Sequence, residues 1–401
     1  MKTLWVVTEL YYPEETSTGY YLTRIAEGLA DKFKVKVLCG QPNYSAKGAR
    51  APAKENHNNV EISRCSSTTL DKNVIAFRLI NMLTLGLSTF FAALVGFKKG
   101  DDVLVVTTPP SMPFIVALAA KVKGATYVPL IHDNYPDLAI ASKKLRPDSF
   151  VAKISVPLNR RLLAGARKII VVGRDMRELV AQKKAGAETP IAMIPNWAES
   201  DDLKPAPREQ NTLLRELGIT DKFIMLYAGN MGHPNDMESI VECAKRLKND
   251  DRFHFLFLGS GVKRKWLERE ISENEIGNAT LLDPRPRSQQ NIFLNACDAA
   301  IISLVSGMWG VSMPSRTYNT LAVGKPIIAL TEAGSELAQV VEEDKVGWVA
   351  PPGDPDLLLK TIEQAWQSRA QLPEMGSRAR QAALEKYSLE TAVTAYYREL
   401  S

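Results

Sequence analysis

No Cys-x-x-Cys pair occurs: the four cysteines, Cys39, Cys65, Cys243 and Cys297, lie far apart, and no histidine stands at ligand spacing. A zinc site or a disulfide framework is therefore not expected, and a reducing cytosol is the natural compartment. No Gly-x-Gly-x-x-Gly follows the first apolar run. A lone Gly19 stands where that run's loop meets a helix, which argues against an NAD-type site there. No Asp-x-Asp-like metal motif is recognised in a suitable loop; of the adjacent acidic pairs, Asp101-Asp102 leads into a strand and Asp201-Asp202 sits in a polar linker. Neither a metal nor a cofactor is expected. A net charge of +5 is too small for a dedicated nucleic-acid binder, although it suits contact with anionic lipid or phosphorylated substrates. Low-complexity segments and short repeats are also missing. The start, MKTLWVVTEL, holds only a short apolar run before Tyr-Tyr-Pro-Glu-Glu, which reads as a first strand and not a signal peptide.

What is present is an alternation of short apolar runs with helical periodicity over 401 residues, long enough for two domains. Strands are expected at Leu4 to Val7, Val35 to Cys39, Asp102 to Val106, Thr126 to Ile131 and Lys168 to Val172, with a helix from Tyr20 to Phe33. Pro195-Asn196-Trp197 and the polar stretch after it read as a linker. The rhythm restarts at Phe223, with strands at 253–258, 280–282, 299–304 and 327–330 and a helix over 236–248. The pattern predicts an α/β protein with mostly parallel sheets covered on both faces. The expected domains are 1–200, 201–384, and a C-terminal helix over 385–401 that returns to the first domain.

Val74 to Phe97 is about long enough to span a bilayer, yet it carries Arg78, Asn81, Thr84, Ser88 and Thr89 and lies between two strands of one sheet. The leading expectation is a long, mostly buried crossover helix. A helix with an apolar face dipping into a membrane surface is the next reading, with Lys98-Lys99 set against anionic headgroups.

The chain is organised around Ala299 to Val340. Two apolar runs there deliver a glycine-bearing loop and two helix starts, at Pro314-Ser315 and at Gly334-Ser335-Glu336, to one sheet edge. Helix N-termini carry free N–H groups and partial positive charge, which suits a phosphate. Tyr227-Ala228-Gly229-Asn230-Met231-Gly232 is a strand running into a two-glycine loop; a tight βα turn would look the same. Gly259-Ser260-Gly261 ends the next strand likewise, and Asp283-Pro284-Arg285-Pro286-Arg287 follows a third.

These features resemble the retaining nucleotide-sugar glycosyltransferases of family 4, and most nearly the WbuB-like and colanic-acid-type enzymes of bacterial polysaccharide assembly. The stretches that carry the resemblance are Pro13 to Gly19, His132 to Asp137, Ile194 to Trp197, Gly229 to Gly232, Val311 to Tyr318 and Gly324 to Ala329. It implies the GT-B fold, two Rossmann-like domains with parallel sheets facing across a cleft. By position, it places Gly19 beside the donor diphosphate and His132 at the donor sugar. Arg285 and its neighbouring backbone would hold the nucleobase. Glu332, Ser335 and Glu336 would face donor hydroxyls and phosphates, with His132 and Glu332 the catalytic pair. Gly229, Asn230, Gly232 and Gly259 would line the diphosphate.

The family's Glu-x7-Glu pair falls on Val311 and Asn319, and an amide holds ribose hydroxyls more weakly than a carboxylate does. Its basic pair after the first strand of the second domain is absent too, so Arg316, with Lys325 and Lys263 behind it, is expected to neutralise the diphosphate. The resemblance further implies transfer of a hexosyl or N-acetylhexosaminyl group, from UDP-sugar in preference to GDP-sugar. The implied acceptor is a glycan, a polyprenyl-diphosphate-linked one among the candidates, at the inner face of the plasma membrane. A non-catalytic GT-B partner subunit and a GT-B sugar-nucleotide 2-epimerase are the competing readings.

Overall fold

The computed structural model describes residues 1–42, 50–70 and 74–401. The chain divides into two compact units: Met1–Pro136 with Pro147–Pro195 and Ala392–Ser401, and Asp137–Arg146 with Asn196–Thr391.

Unit 1 runs β1 (Thr3–Val7), α1 (Ser17–Leu29), β2 (Lys34–Cys39), β3 (Lys54–His57), β4 (Val60–Arg64), α2 (Ile75–Gly96), β5 (Asp102–Val106), α3 (Met112–Lys123) and β6 (Thr126–Ile131). The short α4 (Asp137–Ala141) is grouped with unit 2, after which α5 (Phe150–Ala164), β7 (Ile169–Val171), α6 (Arg174–Lys183) and β8 (Ile191–Met193) complete the first sheet. Its order is β3-β4-β2-β1-β5-β6-β7-β8, and every pairing is parallel except β3 with β4. Leu4, Val6, Val7 and Val103 to Val106 are fully buried, as expected of strands covered on both faces. Thr16 caps α1 by accepting the amide of Gly19, and the helix buries Tyr21, Leu22, Ile25, Ala26 and Leu29. Every strand expected in this half is present. The β3–β4 hairpin, turning on Asn58 and Asn59, both at positive φ, and the edge strand β8 are additions.

Helix α2 does cross from one strand of the sheet to another, but it is not mostly buried. Leu85, Thr89 and Ala93, four residues apart, face inward. Leu79, Leu83, Leu87, Phe91 and Val95, also four apart, lie on the opposite side in solvent. A helix that is apolar all round has no polar face to turn outward, so a layer one helix thick leaves half of it uncovered.

Unit 2 contains α7 (Thr212–Leu217), β9 (Phe223–Ala228), α8 (Met237–Arg246), β10 (Phe253–Leu258), α9 (Arg264–Glu273), β11 (Ala279–Leu282), α10 (Gln290–Asn295), β12 (Ala299–Ser303) and α11 (Arg316–Ala322). It continues with β13 (Ile327–Leu330), α12 (Glu336–Glu343), β14 (Gly347–Ala350), α13 (Pro355–Gln367) and α14 (Leu372–Glu385). The sheet is wholly parallel, in the order β11-β10-β9-β12-β13-β14. This is the doubly wound order, which reverses between β9 and β12. Its core is aromatic at β10, where Phe253, Phe255 and Phe257 are buried, with Met237, Ile240 and Leu358 packed among the same cluster.

The last helix, α15 (Leu389–Leu400), packs its end on unit 1. Lys168 Nζ reaches Glu399 at 2.7 Å, and Arg167 donates to the carbonyl of Leu400 at 3.2 Å. Gly28 makes that docking possible, because a Cβ there would lie 2.6 Å from Val393.

Candidate functional site

In unit 2 the strands flanking the reversal pair over a short register, the middle of β9 with the start of β12, Met225 with Ala299 and Leu226 with Ala300. Beyond that register they separate, and a crevice opens at the carboxyl edge, where ligands settle in doubly wound sheets. Arg316, the first residue of α11, fills its base. Its guanidinium lies over the Tyr227 ring, 4.5 Å from the centroid. One amino group donates to Asn235 Oδ1 at 2.8 Å and to the carbonyl of Ser303 at 3.2 Å. It therefore bridges the loop after β9 and the end of β12. Its Nε is buried with no partner among the described residues, and so is the Ser303 hydroxyl. Both atoms are therefore available to a polar ligand or a bridging water in the crevice.

The glycines of this edge divide by role. Gly259 at φ 145° lies against the other loop's backbone, and a Cβ would sit 1.9 Å from the carbonyl oxygen of Gly229. Gly261 likewise presses on Met231. The amide of Gly229 bonds to Leu258 and that of Met231 to Ser260, so the loops after β9 and β10 zip together as a platform. Gly229 itself approaches Arg316, since a Cβ there would be 3.1 Å from Nη1. Asn230 is exposed, and its carbonyl accepts from Tyr227 Oη and Asn235 Nδ2. Gly232 closes the turn against the Asn230 side chain.

The loop after β13 reaches the same edge. Glu332 Oε2 accepts the amides of Gly307 at 3.0 Å and Trp309 at 2.9 Å, which fixes the glycine loop after β12. Ser335 caps α12 by accepting from Ala338, and Glu336 is buried beside it. Arg285 follows β11 at the sheet's outer strand and donates to Gln289 at 3.3 Å.

Two expected residues stand elsewhere. Lys325 precedes β13, and in a parallel sheet the residues before a strand lie at the opposite edge from those after it. Lys325 therefore borders a separate surface groove with Pro205, Asn295 and Arg380. Gly324 packs there on the backbone of Gly376, where a Cβ on Gly324 would lie 3.0 Å from the carbonyl oxygen. Asn319 is buried and committed at both ends: Nδ2 donates to Glu199 Oε1 at 3.1 Å, while Oδ1 accepts the Glu199 amide at 3.3 Å. Glu199 in turn binds Arg287 through both carboxylate oxygens. Sequence reasoning missed Tyr227, Asn235, Ser303 and the Glu199–Arg287 pair. Tyr227 and Arg287 alone carried a visible signal, since each stands in a stretch that leads from a strand into a loop of this edge.

In unit 1, Gly19 donates its amide to Thr16 Oγ1 at 3.3 Å, inside the cap of α1. His132 follows β6 and is buried, edge-on to Tyr21. Its Nε2 has no partner among the described residues. Burial pushes its pKa down to about 4, so the imidazole is neutral at pH 7, with one N–H and one lone pair.

Over residues 17–197 the chain matches the glycosyl transferase 4-like domain, and over residues 209–382 the glycosyl transferases group 1 family. It is 26% identical to the probable glycosyltransferase WbjE of Pseudomonas aeruginosa, across 97% of this chain and 95% of that one. The putative colanic acid biosynthesis glycosyl transferase WcaI of Escherichia coli (strain K12) is also 26% identical, across 88% and 90% of the two chains. Among solved structures, Alr3699/HepE of Anabaena in complex with UDP aligns with TM-score 0.73 at 15% identity, covering 100% of this chain and 99% of that one.

The depressed His132 pKa sets a pH dependence of stability. The unfolded chain protonates this histidine near pH 6.5 and the folded site only near pH 4, so the unfolded state binds the extra proton in between. This group alone is expected to lower stability by up to about 3 kcal/mol as pH drops from 6.5 to 4; His132→Gln should remove that part of the slope and leave the part due to His254, whose pKa burial also lowers to about 4. Urea unfolding at pH 7, 5.5 and 4.5 checks this; parallel slopes for both proteins would place the proton elsewhere.

Proposed function

Taking as premise that the chain is a glycosyltransferase of the GT-B fold, we propose that it moves a sugar from a nucleoside-diphosphate sugar to an acceptor glycan in bacterial surface polysaccharide assembly. UDP is the preferred nucleotide and GDP the alternative. Support for the nucleotide comes from the HepE complexes with UDP and UDP-glucose, and support for the process from the name of WcaI. The proposed acceptor is lipid-linked, which would hold the protein peripherally at the inner face of the plasma membrane.

The observation that carries the reading is Arg316 in the crevice between β9 and β12. A bound diphosphate needs compensating charge, and Asn230 supplies none. Arg316 does, and its Nε, without a partner among the described residues, gives it a further donor toward an oxyanion. The N-terminus of α12 at the same edge adds oriented amides. With retention of configuration, the bond from the anomeric carbon to the diphosphate oxygen breaks and the acceptor oxygen bonds to that carbon on the same face. The acceptor proton passes to the departing β-phosphate, and the nucleoside diphosphate leaves. Arg316 stabilises the charge that grows on the leaving group.

His132 takes no proton in this scheme. As a neutral imidazole it makes a positioned hydrogen bond to the donor sugar through Nε2, which has no partner among the described residues. Glu332 acts through the loop it holds, since Oε2 is committed to two amides.

Titration calorimetry with UDP tests the charge assignment. Arg316→Ala should weaken binding by about ten- to a hundredfold, from the roughly 1.5–3 kcal/mol of a charge-assisted contact. The loss should shrink for uridine, and Lys325→Ala should bind UDP as the wild type does. Equal affinities for Arg316→Ala and wild type would overturn the assignment. For His132→Ala, turnover should fall by about two to three orders of magnitude with UDP affinity little changed; undiminished turnover would remove His132 from the site.

A further inference from the structure

Unit 1 carries an apolar, basic face that the transfer chemistry does not use. Helices α2, α3 and α5 lie side by side in one layer, α3 touching both neighbours. Most of the large apolar side chains that the described residues leave in solvent belong to these three helices. On α2, Leu83 is 65% exposed, Phe91 62% and Val95 87%; Leu118 and Val122 on α3 and Phe150, Val151 and Leu158 on α5 continue the patch. Scattered exposed leucines need no explanation, but a continuous face on three adjacent helices does.

The charge of the layer is one-signed. Helices α2, α3 and α5 contain no aspartate or glutamate, and their charged residues are Arg78, Lys121, Lys123, Lys153, Arg160 and Arg161. Between α3 and α5 runs a groove of about 720 Å³. Phe114, Ala117, Leu118, Leu158 and Leu162 line it, with Lys121 and Arg161 on its rim. Neither of those two has an ion-pair partner among the described residues, whereas Arg167 at the same mouth is held by Asp102 and the Leu400 carbonyl. The groove lies where β6 and β7 begin, the opposite edge of the sheet from His132.

The geometry points to an anionic lipid surface as the occupant of this layer. The apolar side chains of α2, α3 and α5 enter the headgroup–acyl boundary, one lipid phosphate sits between Lys121 and Arg161, and its chain lies along Phe114, Leu118 and Leu158. This deepens the reading of a lipid-linked acceptor and rests on it only for the source of the surface. Charge decides against a second copy of the chain, because self-association would press two carboxylate-free basic faces together. A transmembrane α2 is disfavoured by its inner stripe: Leu85, Thr89 and Ala93 are buried, and Gly86 and Gly96 abut Ile115 and Trp5. Extracting the helix would strip the sheet of its cover. An interfacial helix layer keeps that packing and covers the outer stripe as well.

The test is co-sedimentation of the full chain with vesicles of phosphatidylcholine alone and of phosphatidylcholine with phosphatidylglycerol, at low and high salt. The wild type should bind the anionic vesicles at low salt at least tenfold more tightly than the neutral ones, and salt should erase the difference. Lys121→Ala/Arg161→Ala should lose roughly thirtyfold on anionic vesicles, from about 1 kcal/mol per basic residue at the surface. Leu83→Ser/Phe91→Ser should weaken binding to both vesicle types. Calorimetry with UDP runs alongside, and all variants should match the wild type, which also shows that they fold. A wild type that stays in the supernatant with anionic vesicles at low salt, yet binds UDP, overturns the lipid surface and leaves the donor reading intact. Vesicle binding without UDP binding does the reverse. A dimer in sedimentation equilibrium that Leu83→Ser/Phe91→Ser dissociates would assign the face to a second copy and overturn the proposal.

Discussion

The parting of β9 and β12 is the constraint on which the unit 2 site depends. Two parallel strands that pair over Met225–Ala299 and Leu226–Ala300 and then diverge leave backbone groups facing a gap. Such a gap collapses, floods or is spanned by a side chain long enough to bond both walls. Arg316 spans it, stacked on Tyr227 and bonded to the Ser303 carbonyl on one side and Asn235 on the other. The loops after β9 and β10 then close over it only because Gly229, Gly259 and Gly261 let their backbones meet where no Cβ fits. A cation is thereby held beneath a backbone platform, next to helix N-termini, before any ligand arrives. Preorganised charge of this kind costs no reorganisation when an anion binds.

Chain direction decided which sequence signals led to that edge. Five of the six strands of unit 2 were legible because they are short and apolar, and their parallel course followed from the βα alternation; β14 was not expected. Residues after strands therefore converge, as Gly229, Gly259, Arg316, Ser335 and Glu336 do. The same rule sends Lys325, which stands before β13, to the far edge; adjacency to a motif outweighed direction in reading it as a phosphate ligand. Asn319 illustrates a different limit. Its place on α11 was legible, but its partner Glu199 lies 120 residues away, and no local pattern reveals a contact of that range.

In unit 1 the hydropathy of α2 was plain and its orientation was not. The inner stripe of Leu85, Thr89 and Ala93 is less apolar than the outer one, so hydropathy points the wrong way; which stripe meets the sheet depends on Trp5, Ile115 and the helix layer. The β3 strand, Lys-Glu-Asn-His, is polar at every position because it is an edge strand, and only its Asn58-Asn59 turn marked it. His132 was singled out through the family resemblance, as a histidine closing a buried strand. Its neutral state follows from burial and lay beyond the sequence.

The most direct test of the central claim is a crystal structure with UDP soaked or co-crystallised. The diphosphate is expected in the crevice between the ends of β9 and β12, with an oxygen within hydrogen-bond distance of the Arg316 guanidinium and the glycine platform of Gly229 to Gly232 beside it. A diphosphate bound at Lys325 and Arg380 on the opposite edge, or anywhere out of reach of Arg316, would contradict the account.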